Sequence, residues 1–127
     1  KFLAERRKNA EYFTNLLCNS KNYMIQKETG NSSWFGFSII LQNDLLNKRD
    51  KLIKFLLQNK IDTRPIVAGN FTLNPVMKYL KFNPLSKLTN SNTIHNQGLF
   101  IGNHHFDVTK ELKEVHSLLL EFEKENT

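Results

Sequence analysis

Eight consecutive residues, Trp34-Phe35-Gly36-Phe37-Ser38-Ile39-Ile40-Leu41, set the strongest constraint on the fold. The run is rich in aromatic and β-branched side chains and is bounded by polar turn residues, which predicts a strand, placed centrally in a sheet. It is also the most apolar stretch of the chain, and it is far shorter than the roughly 18 residues that a membrane-crossing helix requires. A membrane span is therefore excluded, and the other segments must supply what covers the strand.

Helices are predicted on both sides of it. Leu3, Ala10, Phe13 and Leu17 recur on one side of Lys1 to Cys18, with Glu5, Arg6, Lys8 and Glu11 mostly elsewhere. Asn43 to Asn47 makes a turn into a second helix, Lys48 to Gln58, with an apolar stripe of Leu52, Phe55 and Leu56 and with Asn59 as a left-handed terminator. At the far end Val108, Leu112, Val115, Leu119 and Phe122 keep the helical rhythm behind Asp107 or Thr109 as cap. Between these lie a short strand at Tyr23 to Gln26, a turn at Thr29-Gly30-Asn31 and a strand from Ile61 to Val67, whose centre is pushed to an edge by Pro65. A short helix with proline first follows at Asn74 to Tyr79, then a loop at Phe82 to Ser86 and a helix at Thr89 to Gln97 closed by Gly98. The strand Leu99-Phe100-Ile101 completes the order. The expected fold is an α/β two-layer sandwich, one small sheet covered by helices, in a single domain over residues 1–127.

Composition narrows the function classes. One cysteine, Cys18, rules out an internal disulfide framework and a cysteine-based zinc site, and it fits a reducing, cytoplasmic setting. The 18 Lys+Arg against 12 Asp+Glu give a formal charge of +6, the first footprint of phosphate binding. The lysines are scattered, however, and the one dense cluster, Arg6-Arg7-Lys8, is interleaved with Glu5 and Glu11 as on a solvated helix face. Nucleic acid is therefore not expected as a partner.

His104 and His105 are neighbours on an extended segment, so they point apart, and His95 and His116 lie at unrelated phases; no metal site is expected. No nucleophile elbow, phosphate-cradling glycine loop or carboxylate pair at strand ends is present, so no catalytic residue is assigned within the chain. What stands out is glycine with an amide or imidazole after two strands, in Thr63 to Asn70 and in Gly98 to His105. Arg64 sits there in an otherwise apolar strand. Its planar fork suits bidentate capture of a carboxylate, and equally a structural ion pair with a helix acid.

The same segments carry a resemblance. Phe2-x-x-x-Arg6-Arg7-x-Asn9, Ser33-Trp34-Phe35-Gly36-Phe37, Arg49-Asp50-Lys51-Leu52, Ile61-Asp62-Thr63-Arg64-Pro65, Ala68-Gly69-Asn70 and Gly98-x-x-x-Gly102-Asn103-His104 occur in order. Together they resemble the C-terminal small domain of the sugar aminotransferase family of fold-type I pyridoxal-phosphate enzymes. Within that family the chain is most similar to the nucleotide-sugar 3-dehydratases of lipopolysaccharide O-antigen biosynthesis. The aminotransferases usually carry a Tyr/His-x-Pro motif where Ile66-Val67-Ala68 stands.

The resemblance implies a fragment of a longer enzyme whose N-terminal domain seats pyridoxal 5'-phosphate and supplies the Lys or His base. Glutamate would load that cofactor as pyridoxamine 5'-phosphate, and a nucleotide-linked 4-keto-6-deoxysugar would then lose its C3 hydroxyl. Arg64 would clamp the glutamate α-carboxylate, Gly69 and Asn70 would shape the loop beside it, and His95, Asn103 and His104 would line or support the sugar side. Asn92-Thr93 departs from the acid and arginine common in the short helix of related sequences. The resemblance further implies a homodimer in the full-length protein and a catalytically silent fragment. Two other readings stand beside this one: a nucleotide-sugar aminotransferase, and a non-catalytic α/β interaction module.

Overall fold

A computed structural model describes residues 1–83 and 86–127 of the chain. The predicted loop at Phe82 to Ser86 thus falls in part outside the described residues. Three strands, β1 (Tyr23–Ile25), β2 (Gly36–Leu41) and β3 (Gly98–Gly102), make an antiparallel sheet in the order β1-β2-β3, with the expected strand in the middle. With it, among the described residues, are four helices, α1 (Phe2–Leu17), α2 (Arg49–Gln58), α3 (Thr89–Gln97) and α4 (Thr109–Asn126), one 3-10 turn between β2 and α2, and two between α2 and α3.

Register explains the core. Tyr23 pairs with Leu41, Ile25 with Ile39 and Ile39 with Leu99, while Phe37 pairs with Ile101, so every second residue of each strand falls on one face. That face meets Ala10, Phe13 and Leu17 of α1, Leu52 and Leu56 of α2, and Leu112, Val115, Leu119 and Phe122 of α4 in one buried cluster. Phe13 stacks on Phe37 with ring centroids 4.4 Å apart. The hydroxyl of Tyr23 donates to the Leu119 carbonyl at 2.9 Å, and burial, with the charge of Glu123 adding to it, pushes that phenol far above its ordinary value. The two-layer α/β sandwich is the observed architecture. Among the described residues no helix is long and apolar enough to cross a membrane.

Local chemistry differs from the sequence reading in four places. Ile61 to Val67 is not a strand. Only Arg64 bridges to Phe100, because Pro65 has no N–H to extend the ladder and Val67, at φ +41, turns the chain away. Asn59 stays at φ −90, and the left-handed residue that ends α2 is Lys60 at φ +63. Gly98 closes α3 without turning left-handed: at φ −91, ψ 141 it is already the first residue of β3, so helix passes to strand with no loop between. Glycine is needed there because a Cβ would lie 2.4 Å from the Ile94 carbonyl oxygen. Finally, β2 begins at Gly36, since Trp34 adopts φ +48, a left-handed conformation that costs a bulky residue about 1–2 kcal/mol.

Side chains complete what the backbone leaves open. Gln26, just past β1, extends the sheet pairing by accepting from the Ser38 N–H and donating to the Gly36 carbonyl. The N-cap of α4 is Val108 rather than Asp107 or Thr109; Asp107, one residue earlier, takes the Thr109 N–H at 2.8 Å, and that bond, with the Thr109 hydroxyl and the charge of Lys8, holds its carboxyl below the ordinary value.

Candidate functional site

Arg64 is fixed by its backbone, and among the described residues its head has no hydrogen-bond or ion-pair partner. Its N–H donates to the Phe100 carbonyl at 2.8 Å and its carbonyl accepts the Phe100 N–H at 2.7 Å, so the residue is pinned to the outer edge of β3. Among the described residues its guanidinium has no carboxylate within 4.0 Å; the ion pairs there are Lys8 with Glu5 and Arg49 with Asp50. The structural ion pair weighed from the sequence is thus not formed among these residues. A planar cation held this way is available to an external carboxylate.

Arg64 lines two adjoining clefts. The larger, of about 450 Å³, is walled by Trp34, Phe35, Pro65, Val67 and Phe100, with Gln26, Ser32, Ser33 and Gly36 completing it. The smaller, of about 260 Å³, is bounded by Phe35, Asp62, Arg64, Phe100, Gly102 and Asn103. Phe35 and Phe100 belong to both, their rings stacked with centroids 6.1 Å apart and an interplanar angle of 23°. Gly36 makes that stack possible, since a Cβ there would stand 2.2 Å from Cζ of Phe100. The result is an aromatic wall beside the Arg64 guanidinium, with the Arg6 guanidinium 5.9 Å from the Phe35 ring, an arrangement suited to a small anionic ligand with a short apolar body.

The other expected site residues fall into three places. Asn103 bounds the smaller cleft, but its amide faces inward: Nδ2 donates to the carbonyls of Arg6 and Trp34, each at 2.9 Å, and Oδ1 accepts from Asn9 Nδ2 at 3.0 Å and from the His104 N–H at 2.8 Å. Gly69, Asn70 and His95 form a second group at α3. Gly69 has φ +56, and a Cβ on it would lie 2.6 Å from His95 Nδ1. Asn70 is buried, accepting from both the N–H and the hydroxyl of Thr72 and donating to Asn92 Oδ1 at 2.6 Å. The departure at Asn92 thus serves as the anchor of the Asn70 loop. His104 stands in an exposed aromatic group, stacked on Phe106 at 4.5 Å, while Phe2 meets His105 edge-on at 4.7 Å.

The chain's own reading missed Asn9, Gln26 and Phe35 as contributors. Asn9 had a visible signal. It lies four residues before Phe13 and eight before Leu17, on the buried stripe of α1, and it is fully buried. A buried amide must find partners, and it donates to Asn103 Oδ1 and to the carbonyls of His104 and Phe106 while accepting the Val108 N–H. Phe35 carried no such signal, because its exposure at the strand entrance follows from the left-handed Trp34.

Neither cleft contains a lysine or a histidine. A pyridoxal cofactor needs a base at its reacting carbon and an acid at its ring nitrogen, so these clefts do not fit its seat, and no step through it is derived from them. Among the described residues no group of three metal-ligating side chains gathers.

Together these elements define a two-layer α/β domain with an arginine-bearing edge beside an aromatic wall. The chain belongs to the DegT/DnrJ/EryC1/StrS aminotransferase family, whose model matches residues 1–119. It is 40% identical over 119 residues to a GDP-4-keto-6-deoxy-D-mannose 3-dehydratase of Yersinia pseudotuberculosis, covering 93% of this chain and 30% of that protein. An Escherichia coli enzyme of the same description, solved with bound hydrated PLP, superposes with a TM-score of 0.88 at 39% identity, over 93% of this chain and 31% of the other. A GDP-4-keto-6-deoxymannose-3-dehydratase with a trapped PLP-glutamate geminal diamine gives a TM-score of 0.87 at 38% identity, over 92% and 31%. Solved aminotransferases share the fold at 11 to 18% identity. The chain spans about 30% of the length of the curated relatives it matches over most of its own length.

Proposed function

We propose that residues 1–127 are the C-terminal small domain of a nucleotide-sugar 3-dehydratase. The full-length enzyme would remove the C3 hydroxyl from a GDP-linked 4-keto-6-deoxyhexose with the help of pyridoxal and pyridoxamine phosphate, as a cytoplasmic homodimer in lipopolysaccharide O-antigen biosynthesis. Within it, Arg64 binds the α-carboxylate of glutamate. The observation that carries the reading is the Arg64 cleft, a pinned and unpaired guanidinium beside a stacked Phe35–Phe100 wall, in a chain 40% identical to a 3-dehydratase. The aminotransferase alternative has the shared fold in its favour, at much lower identity.

The chemistry that glutamate brings is an amino group, and the cofactor supplies the electron sink when bound. What this chain contributes is orientation. The fork of Arg64 fixes the carboxylate in one plane, and the aromatic wall limits the side chain to one direction.

The test uses the full-length protein with pyridoxal phosphate and glutamate, following the cofactor absorbance and the release of 2-oxoglutarate. Subsequent water loss from a GDP-linked 4-keto-6-deoxysugar supports the dehydratase; amino-sugar formation selects the aminotransferase instead. Arg64→Lys is expected to lower kcat/KM for glutamate about 10- to 100-fold, as a charged hydrogen-bond pair of about 1.5–3 kcal/mol implies, while turnover of preloaded pyridoxamine phosphate stays largely intact. Equal damage to both half-reactions would assign Arg64 a structural role.

A further inference from the structure

We propose that Asn103, oriented by Asn9, is a positioning residue for the Arg64 cleft: it fixes the Trp34–Phe35 backbone so that the Phe35 ring stands as the wall that aligns a carboxylate ligand. This rests on the reading of Arg64 as a glutamate clamp. Asn103 holds two successive carbonyls of that backbone, Trp34 through its side-chain amide at 2.9 Å and Phe35 through its own N–H at 3.2 Å. Trp34 needs holding, because its φ of +48 is one that a bulky residue avoids. Its N–H is taken by Ser32 Oγ, and Asn103 is the donor to its carbonyl among the described residues.

Asn9 and the His104 N–H together set which way the Asn103 amide faces. By donating to Oδ1 they turn the two N–H donors of Asn103 toward the carbonyls of Arg6 and Trp34; the reverse orientation would set the Asn103 oxygen against those carbonyl oxygens. Asn9 is itself held in one orientation by the Val108 N–H on its oxygen and the Phe106 carbonyl on its nitrogen. From Trp34 the connection runs directly to the site. Phe35 stacks on Phe100, and Phe100 exchanges both backbone hydrogen bonds with Arg64. Phe35 is 69% exposed, touched by the Phe100 ring on one side and approached by the Arg6 guanidinium at 5.9 Å, so few contacts hold its ring and the backbone beneath sets where it stands.

The experiment is a double-mutant cycle in the full-length protein, reading KM and kcat for glutamate from 2-oxoglutarate release. Asn103→Ala is expected to raise KM for glutamate about tenfold with kcat little changed, and Phe35→Ala to do the same. The double variant should be no worse than Phe35→Ala alone, since Asn103 acts through that ring. Peptide-level hydrogen exchange over residues 31–37 should speed up in Asn103→Ala. If that variant does not fold, Asn9→Ala, at the remote end of the relay, should shift KM in the same direction. Additive effects, or a fall in stability and kcat at unchanged KM, overturn the positioning role. Arg64→Lys measured alongside separates the two ideas: if it leaves glutamate use intact, the clamp reading falls and the relay's purpose with it, whereas an impaired Arg64→Lys with additive Asn103 effects sinks the relay alone.

Discussion

The sheet with its packed helices and the segment from residue 61 to 83 are built on opposite terms. In the first, apolar residues that recur with strand or helix period form one buried cluster from Ala10 to Phe122, while Leu3 at the start of α1 and the off-stripe Met24, Leu57 and Leu120 stay exposed. In the second, Val67, Phe71, Leu73, Tyr79 and Leu80 are exposed, and the chain is shaped by short bonds of asparagine: Asn70 to Thr72 and Asn92, Asn74 to the Val76 N–H. Apolar content alone therefore does not make a core; periodicity does, because only a repeating pattern lets one element offer a continuous face to another. The site lies where the two regimes meet, with Arg64 from the irregular segment and Phe100 from the sheet.

This contrast is open to direct challenge. Phe13→Ala removes a ring from the centre of the cluster and should cost about 3–5 kcal/mol in urea unfolding; a loss below about 1 kcal/mol would show that α1 is not tied to the sheet. Gly36→Ala should cost about 1–3 kcal/mol, because the added methyl meets the Ile101 carbonyl oxygen at 2.5 Å as well as the Phe100 ring, so the β2–β3 pair has to part. The Asp107–Thr109 bond before α4 is a weaker lever, since its carboxylate is open to solvent. Its carboxyl titrates below the ordinary value of 3.8, so its stabilisation is present above that value and disappears as pH falls through the depressed one. The stability gap between the native chain and Asp107→Ala should accordingly hold from neutral pH down to about pH 5 and narrow below about pH 4. Smallest of all, Tyr79→Ser in the exposed segment should change stability by less than about 0.5 kcal/mol, and a larger loss would mean that this side chain is packed after all.

Much of the body was readable from the residues. The helical stripes of α1, α2 and α4 and the apolar run of β2 have one period each and nothing competing with it, so their element type and buried face were legible. Ile61 to Val67 misled because its apolar residues imitate a strand, while the decisive facts, a proline without an N–H and a valine turned left-handed, act through the backbone. At the site, Arg64 was legible as a charge out of place in an apolar stretch. Asn103 was flagged as a functional amide, yet its direction depends on Asn9, 94 residues away in sequence, and no local pattern reports such a pairing. Phe35 became a wall only through the turn before it.

The direct passage from α3 into β3 at Gln97 and Gly98 leaves no slack in the chain. One residue inserted or removed there would send Leu99 and Ile101 to the opposite face and bring Phe100 into the core. Arg64, paired to Phe100 by two backbone bonds, would lose the register that places it. Length variation among descendants of this sequence is therefore barred at that joint, however freely the residues on either side of it change.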